Sequence, residues 1–190
     1  NPGQIKLAAS QAGCIWHMKA LLIREAAGVE FKFIPYQGSN PSQLAALSGE
    51  VDVVVTGLGE QAEFLVAKKL RALAAVELED LVIPGVGRVP SIVKAIPEMK
   101  EKLPLDQFLG FAVPSDTPKH ILDKITEAFK KAVQSQEMKD FAEIKYLRIS
   151  GLYGQEAKQM VASMEKIFSW SLYDLGMAQK SPAEFSIDRP

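Results

Sequence analysis

Three short segments of small and polar residues have the composition of an anion-binding site. The first, second and third segments are residues 10–14, 37–40 and 56–59, and each follows a strand-like stretch and precedes a helix-like one. The first N–H groups of a helix have no partner within it, and the helix dipole favours negative charge beside them. Because no acidic residue lies inside the three segments, they favour an anion over a metal ion or a cationic ligand.

We expect the first segment to hold the carboxylate of a small organic acid. The expected donors are the backbone N–H groups of Ala12, Gly13 and Cys14, with Gly13 able to adopt a positive φ. The other candidate ligand-binding residues line the same cleft edge and are Ser10, Gln37, Gly38, Ser39, Thr56 and Gly57. Small polar residues also make ordinary turns between strands and helices, so an α/β domain without a ligand is an alternative interpretation.

Cys14 and His17 offer a further interpretation, a cysteine-dependent hydrolase or transferase. They lie three residues apart at the predicted start of a helix, a position that can activate a thiol as a nucleophile. The sequence does not identify the third group that would orient the histidine. Zinc held by Cys14, His17 and His120 is a weaker alternative, because the paired spacing of zinc ligands is absent. We therefore expect no catalytic residue, no metal and no cofactor.

Alternating and β-branched stretches predict the strands that carry the three segments. The predicted elements are, in order, a strand over residues 6–9, a helix from Ile15 ended by Gly28, a strand over 29–35, a helix capped by Asn40 and ended by Gly49, a strand over 51–56, a helix over 60–69 and a strand over 70–76. Repeated units of strand, loop and helix predict a parallel sheet, and ligands bind at the carboxyl ends of such strands.

The second half of the chain has a different pattern. A proline-rich connector over 77–105 precedes a strand over 108–113, a helix over 119–134, a helix over 135–143, a strand over 146–150 and a helix over 156–175. Thr117 is the expected N-cap of the helix over 119–134, which is expected to bury Ile121, Leu122 and Ile125. Trp170 is expected to lie in the core.

Composition and charge exclude several functions. The chain has 190 residues, 47% of them hydrophobic, and a net charge of −1, which gives no electrostatic basis for binding nucleic acid. No apolar run approaches the roughly 20 residues of a membrane-spanning helix. A single cysteine excludes an internal disulfide.

At these residues the sequence resembles the extracytoplasmic solute receptors of tripartite tricarboxylate transporters, the TctC/Bug-type binding proteins. The matching motifs occur in order along the chain: Asn1-Pro2-Gly3, Ser10-x-x-Gly13-Cys14-x-x-His17-Met18, Ile34-Pro35-Tyr36-Gln37-Gly38-Ser39, Gly49-Glu50-Val51-Asp52, Lys69-Leu70-Arg71-Ala72-Leu73-Ala74, Pro114-Ser115-Asp116-Thr117-Pro118 and Ser181-Pro182-Ala183-Glu184-Phe185. Each motif is weak alone, but their order and spacing together are specific.

The resemblance implies an α/β fold of the periplasmic-binding-protein (Venus flytrap) type. Residues 1–105 would form a complete second lobe with a mainly parallel sheet, and residues 106–190 the returning part of the first lobe. The family is longer, so we expect a form truncated at its N-terminus, with half a cleft, weak binding and exposed surface that promotes homo-oligomers. The implied function is non-catalytic delivery of a carboxylate to membrane permease subunits from the periplasm. Cys14 stands where the family usually has Ser or Thr, which removes a hydroxyl contact.

Overall fold

A computed structural model describes residues 3–190, so the motif residues Asn1 and Pro2 lie outside the described part. The chain divides into two compact units, unit 1 ending at Gln107 and unit 2 running from Phe108 to Pro190. This division lies two residues beyond the boundary expected from the sequence. The assignment of the two units to a complete lobe and a returning part of another lobe stays a prediction.

Unit 1 alternates strands and helices in its first part. Its elements are β1 (Lys6–Ala9), α1 (Ile15–Ala27), β2 (Lys32–Pro35), α2 (Ser39–Ser48), β3 (Val53–Val54), α3 (Leu58–Val66), β4 (Leu81–Ile83), β5 (Gly87–Val89) and two 3-10 turns, Ile92–Lys94 and Pro97–Lys102. The order β2-β1-β3 with parallel pairing on both sides of β1 confirms the predicted parallel α/β arrangement.

The core of unit 1 lies around β1 and α1. Leu7, Ala8 and Ala9 of β1 are buried, as are Met18 and Leu21 of α1. Ala8 also packs in a cluster with the buried side chains of α2 and of the entry to β3. Small residues at Ala8 and Ala9 let the helices approach the sheet closely, which holds the helix starts against the carboxyl ends of the strands.

The two glycine-terminated helix ends were predicted correctly, whereas the starts of α2 and α3 were not. Gly28 and Gly49 end α1 and α2 in the left-handed conformation, with φ of 61° and 78°, as expected. The predicted N-cap at Asn40 is wrong, since α2 begins at Ser39 after Gly38. A proline third in a helix costs no hydrogen bond, because the first-turn N–H groups have no partner anyway. Likewise α3 begins at Leu58, earlier than predicted.

The predicted strand over 70–76 is wrong. Only Ala75 pairs there, in an isolated parallel bridge to Ser91. Pro90 lacks an N–H group and Ser91 caps a 3-10 turn, so the ladder cannot extend. The connector expected over 77–105 instead contains an antiparallel hairpin of β4 and β5. The prolines and glycines of this stretch had indicated irregular structure, so the two strands were not predicted.

Unit 2 is helical in the part of the chain that the structure describes. Its elements are α4 (Lys119–Gln134), α5 (Gln136–Ile144), α6 (Gly154–Asp174) and a 3-10 turn, Pro182–Phe185. The bounds of these three α-helices agree with the bounds predicted from the sequence to within about two residues. Trp170 is buried as expected, donates from Nε1 to the carbonyl oxygen of Ile187 at 3.1 Å, and lies under the guanidinium of Arg189 at 4.1 Å.

The predicted strands over 108–113 and 146–150 are wrong, and so is the burial of the apolar face of α4. Leu109 and Phe111 are 78% and 89% exposed, and α4 has no buried residue. Strands need hydrogen-bonded neighbours and an apolar helix face needs a surface to cover, and unit 2 has no sheet among its described residues. Thr117 does not cap α4, because the N-cap residue is Pro118. The hydroxyl of Thr117 donates to the carbonyl oxygen of Pro114 at 2.7 Å.

None of the described helices combines the length and the apolar character that crossing a membrane requires.

Candidate functional site

The three candidate segments lie at one edge of the parallel sheet. β1 is the central strand, so the first segment lies between the other two. Backbone hydrogen bonds to β1 continue past the ends of both neighbouring strands. The N–H of Tyr36 donates to the carbonyl oxygen of Ala9 at 3.3 Å, and the N–H of Val55 donates to the carbonyl oxygen of Ala8 at 2.9 Å. Neighbouring strands are about 4.8 Å apart, so a small molecule at the first segment is within reach of both others.

The first segment does not leave all its N–H groups available, which corrects our expectation. Gly13, with φ of 79°, donates its N–H to Nδ1 of His17 at 2.9 Å. The N–H of Cys14 donates to the carbonyl oxygen of Gln11 at 3.3 Å. Within residues 3–190 the N–H of exposed Ala12 has no partner. Of the three expected donors, Ala12 alone is available in this conformation.

The start of α1 supplies donors that the sequence analysis did not name. Cys14 is the N-cap residue, but its side chain makes no capping bond. Its Sγ instead contacts Oγ of Ser10 at 3.2 Å. The N–H groups of Ile15 and Trp16 therefore remain unpaired within the described chain, as first-turn amides do when no side chain caps them.

His17 is buried and uncharged. It is 3% exposed, its ring stacks on Phe33 at 3.9 Å between centroids, and burial, with a smaller effect of Arg24, lowers its pKa below 6.5. Because Nδ1 accepts from Gly13, the ring proton lies on Nε2. The neutral ring then has no second lone pair with which to deprotonate Cys14. The geometry therefore does not assemble the nucleophile–base pair of the hydrolase interpretation.

The second segment begins α2 without a side-chain cap. Gly38 is the N-cap residue with φ of 116°, a conformation that favours glycine, and Ser39 is the first helical residue. The side chain of Gln37 is exposed. Ser42 donates from its hydroxyl to the carbonyl oxygen of Ser39 at 2.7 Å, so this bond leaves the N–H groups at the helix start untouched.

The third segment is different, because a carboxylate already occupies it. Gly57 donates its N–H to Oε2 of Glu60 at 2.9 Å. Glu60 is one residue beyond the segment as we defined it, so the absence of acids within residues 56–59 was misleading. The signal was present in the sequence as a glutamate three residues after the N-cap, a common helix-start pattern.

Two glutamines that sequence analysis missed surround Thr56. Gln61 donates from Nε2 to the carbonyl oxygen of Thr56 at 3.0 Å and to its Oγ1 at 2.8 Å. Gln43, which is 1% exposed, donates from Nε2 to the same Oγ1 at 3.3 Å. Oε1 of Gln43 is buried without a partner. A polar residue on the core side of α2 is a signal that the sequence alone does not reveal.

The described residues hold no group of three His, Cys, Asp or Glu side chains arranged as metal ligands. Cys14 and His17 lie in unit 1, whereas His120 is exposed on α4 in unit 2.

Solved structures of the same fold were found by comparison. The chain is similar to a structure described as that of a periplasmic transporter, with 20% identity and a TM-score of 0.74 over 95% of this chain and 58% of the other. It is also similar to R. palustris Rpa4515 with adipate, with 21% identity and a TM-score of 0.67 over 94% of this chain and 58% of the other. These matches confirm the α/β fold of TctC-type periplasmic binding proteins.

Sequence comparison agrees with the structural one. The "UPF0065 protein in tcbD-tcbE intergenic region" of Pseudomonas sp. (strain P51) is 28% identical over 141 residues, which are 73% of this chain and 40% of that protein. The chain thus spans less than half the length of this relative. The model of the tripartite tricarboxylate transporter family receptor matches residues 1–166. The resemblance drawn from the motifs is confirmed, and the chain belongs to the tripartite tricarboxylate transporter receptor family.

Proposed function

We propose that the chain is a solute-binding receptor whose unit 1 holds a carboxylate of a small organic acid at the start of α1. Membership of a receptor family supports solute binding, and one structural neighbour, R. palustris Rpa4515, is described with adipate, a dicarboxylate. The observation that carries the proposal is the uncapped start of α1 at the carboxyl edge of the central strand. Non-catalytic action, delivery to membrane permease subunits and a periplasmic location are parts of the same proposal.

The donors for the carboxylate are the N–H groups of Ala12, Ile15 and Trp16, in place of the set expected from the sequence. Ala12 lies within the turn and its N–H is unpaired, and Ile15 and Trp16 begin α1 without a side-chain cap. The helix dipole adds a favourable field at the same point. Gly13 and Cys14 shape the turn, and Ser10 contributes through its contact with Cys14.

The third residue of the helix supports the first segment over the third as the anion site. In α3 that residue is Glu60, whose carboxylate takes the N–H of Gly57 and neutralises the positive helix end. In α1 the equivalent residue is His17, which takes the N–H of Gly13 without adding negative charge. We therefore propose the second segment, with Gln37, Gly38 and Ser39, as a secondary lining, and Thr56 and Gly57 as a lining that does not bind the charged group.

Binding of acids to the chain tests the proposed function. Each contact at a helix start contributes about 0.3–2 kcal/mol, so three contacts sum to about 1–6 kcal/mol, which corresponds to a dissociation constant no tighter than about 0.04 mM. Calorimetric titration with adipate, succinate and citrate should detect saturable binding of at least one acid. The corresponding uncharged amides are the controls and should not bind. An absence of binding by every acid, or equal binding of acids and amides, would contradict the proposal.

Charge at residue 17 should control affinity for the acid. His17→Glu can accept the Gly13 N–H as Glu60 accepts that of Gly57, but it adds a negative charge beside the ligand, so we expect affinity to fall by about tenfold or more. His17→Gln keeps a neutral acceptor and should stay within about threefold of the wild type. Glu60→Gln is the reciprocal control, and its affinity should be unchanged or higher. Calorimetry of the three variants measures this, and equal affinities for His17→Glu and His17→Gln would refute it.

The lowered pKa of His17 predicts a pH-dependent stability. The unfolded chain binds a proton at residue 17 near pH 6.5, while the folded chain resists it. The stabilising contribution is therefore complete above pH 6.5 and is lost as the pH falls through the folded pKa. Urea unfolding between pH 7.5 and pH 5 should show a steeper loss of stability for the wild type than for His17→Asn, whose amide oxygen accepts without titrating. Parallel curves would contradict a buried neutral His17.

We also propose that the chain self-associates through unit 2. Leu109, Phe111 and Ile144 are each at least 70% exposed, and exposed apolar surface of this kind favours association. Sedimentation equilibrium should show an average mass that rises with concentration, and Phe111→Ser should reduce it. A strictly monomeric wild-type chain would exclude this part of the proposal.

A further inference from the structure

The hydrogen bond between Gly13 and His17 exists in only one protonation state of the imidazole ring. Nδ1 accepts the Gly13 N–H at 2.9 Å, so Nδ1 carries no proton. If Nδ1 binds a proton, two donors face each other at that distance and neither has an acceptor. The turn at Gly13, which has φ of 79°, then loses the bond that holds it.

An anion at the proposed site supplies the missing acceptor. The proposed donors, which are the N–H groups of Ala12, Ile15 and Trp16, lie on both sides of Gly13 along the chain. A carboxylate oxygen among them can accept from the Gly13 N–H and from a protonated Nδ1 together. Its negative charge also favours the imidazolium over the neutral ring.

The surroundings of His17 favour the neutral ring in the free protein. Burial first, and the charge of Arg24 second, lower the pKa of His17 below 6.5. The ring is 3% exposed and stacks on Phe33 of β2. None of the described carboxylates contributes to this shift, so a bound acid brings a charge that the described chain does not itself place against the ring.

The other charged side chains of α1 and of the elements packed against it are engaged elsewhere or exposed. On β1, Lys6 donates from Nζ to the carbonyl oxygen of Glu50 at 3.2 Å. On the 3-10 turn Pro97–Lys102, Lys102 lies 3.2 Å from Glu25 of α1. On α1, Lys19 donates to the carbonyl oxygen of Val76 at 3.3 Å. The remaining charged residues of β2 and of the 3-10 turn are exposed, and they are Lys32, Glu98, Lys100 and Glu101.

Resting on the proposed function, we propose that His17 is a positioning residue that couples binding of the acid to the uptake of a proton from the solvent. The proton adds to Nδ1, and only hydrogen bonds change. Neutral His17 holds the Gly13 turn in the free protein, and the imidazolium and the Gly13 N–H together hold the carboxylate in the complex.

The direction of the pH dependence follows from reciprocity. Since a bound anion raises the pKa of His17, protonation of His17 strengthens binding of the anion by the same factor. Affinity therefore rises as the pH falls through the pKa of His17 in the complex. A purely structural role predicts the opposite sign, because protonation of a buried histidine weakens the fold that carries the site.

The pH dependence of affinity tests this proposal on the full chain. Calorimetry at pH 7.5, 6.5 and 5.5 uses the acid among adipate, succinate and citrate that binds most tightly at pH 7.5. The ratio of affinity at pH 5.5 to that at pH 7.5 should be about three- to tenfold larger for the wild type than for His17→Asn. His17→Asn offers Gly13 an amide oxygen that does not titrate, and the protonation of the acid itself cancels in the comparison.

Two further variants control for side effects of the substitution. His120→Asn removes the other histidine of the chain, which is exposed on α4 in unit 2, and should keep the wild-type ratio. His17→Gln is a second variant that does not titrate and should match His17→Asn. Circular dichroism at each pH shows which proteins are folded.

Proton uptake gives an independent readout near pH 6. Titrations in two cationic buffers with different heats of protonation should show that the wild type takes up more protons per bound acid than His17→Asn, by up to one proton. Equal uptake and equal pH ratios in the two proteins, or a wild-type affinity that falls relative to His17→Asn, would overturn this proposal alone. Absence of binding by every acid at every pH would overturn the proposed function and this proposal with it.

Discussion

The hydrogen bond from the Gly13 N–H to Nδ1 of His17 is the interaction on which the candidate site depends. It holds the turn after the central strand in a left-handed conformation, at a point where the chain must reverse onto α1. The acceptor ring carries no charge, because burial and the nearby Arg24 lower the pKa of His17 and keep the imidazole neutral. An acidic residue could make the same bond, but it would cancel the field of the helix that the bond exposes.

Comparison of the three segments shows how one fold produces different sites from similar parts. All three are turns between a parallel strand and a helix, and all three lie at the same edge. The residue at the third helical position distinguishes them, with histidine in α1, proline in α2 and glutamate in α3. Composition within each turn therefore gives an incomplete account of its electrostatics, because a side chain one turn along the helix can occupy the N–H groups.

Much of unit 1 could be predicted from the sequence, because the signals there are local. Short alternating strands, glycine at the helix ends and apolar helix faces determine the order of elements. The failures have non-local causes. Strands over 108–113 and 146–150 were inferred from residue types that favour strands, but no partner strand exists for them among the described residues of unit 2. The predicted burial of the apolar face of α4 was wrong for a similar reason, because no described element covers that face.

The candidate site was predicted in position but not in detail. The sheet edge and the turn after β1 followed from the pattern of elements. The hydrogen bonds within the site depend on side-chain geometry, which the periodicity of the sequence does not encode. They join Gly13 to His17, Gly57 to Glu60, and Thr56 to two glutamines. Motif order, in contrast, was sufficient to identify the family, which the match over residues 1–166 confirms.

Residue-resolved titration of backbone amides tests the central claim most directly. In 15N-labelled protein, the acid among adipate, succinate and citrate that binds most tightly in calorimetry should shift the amide resonances of Ala12, Ile15 and Trp16 along a saturable curve, while those of Gly57 and Leu58 move little. Shifts centred on the start of α3, or no saturable shift at the start of α1, would contradict an account in which the uncapped end of α1 holds the carboxylate.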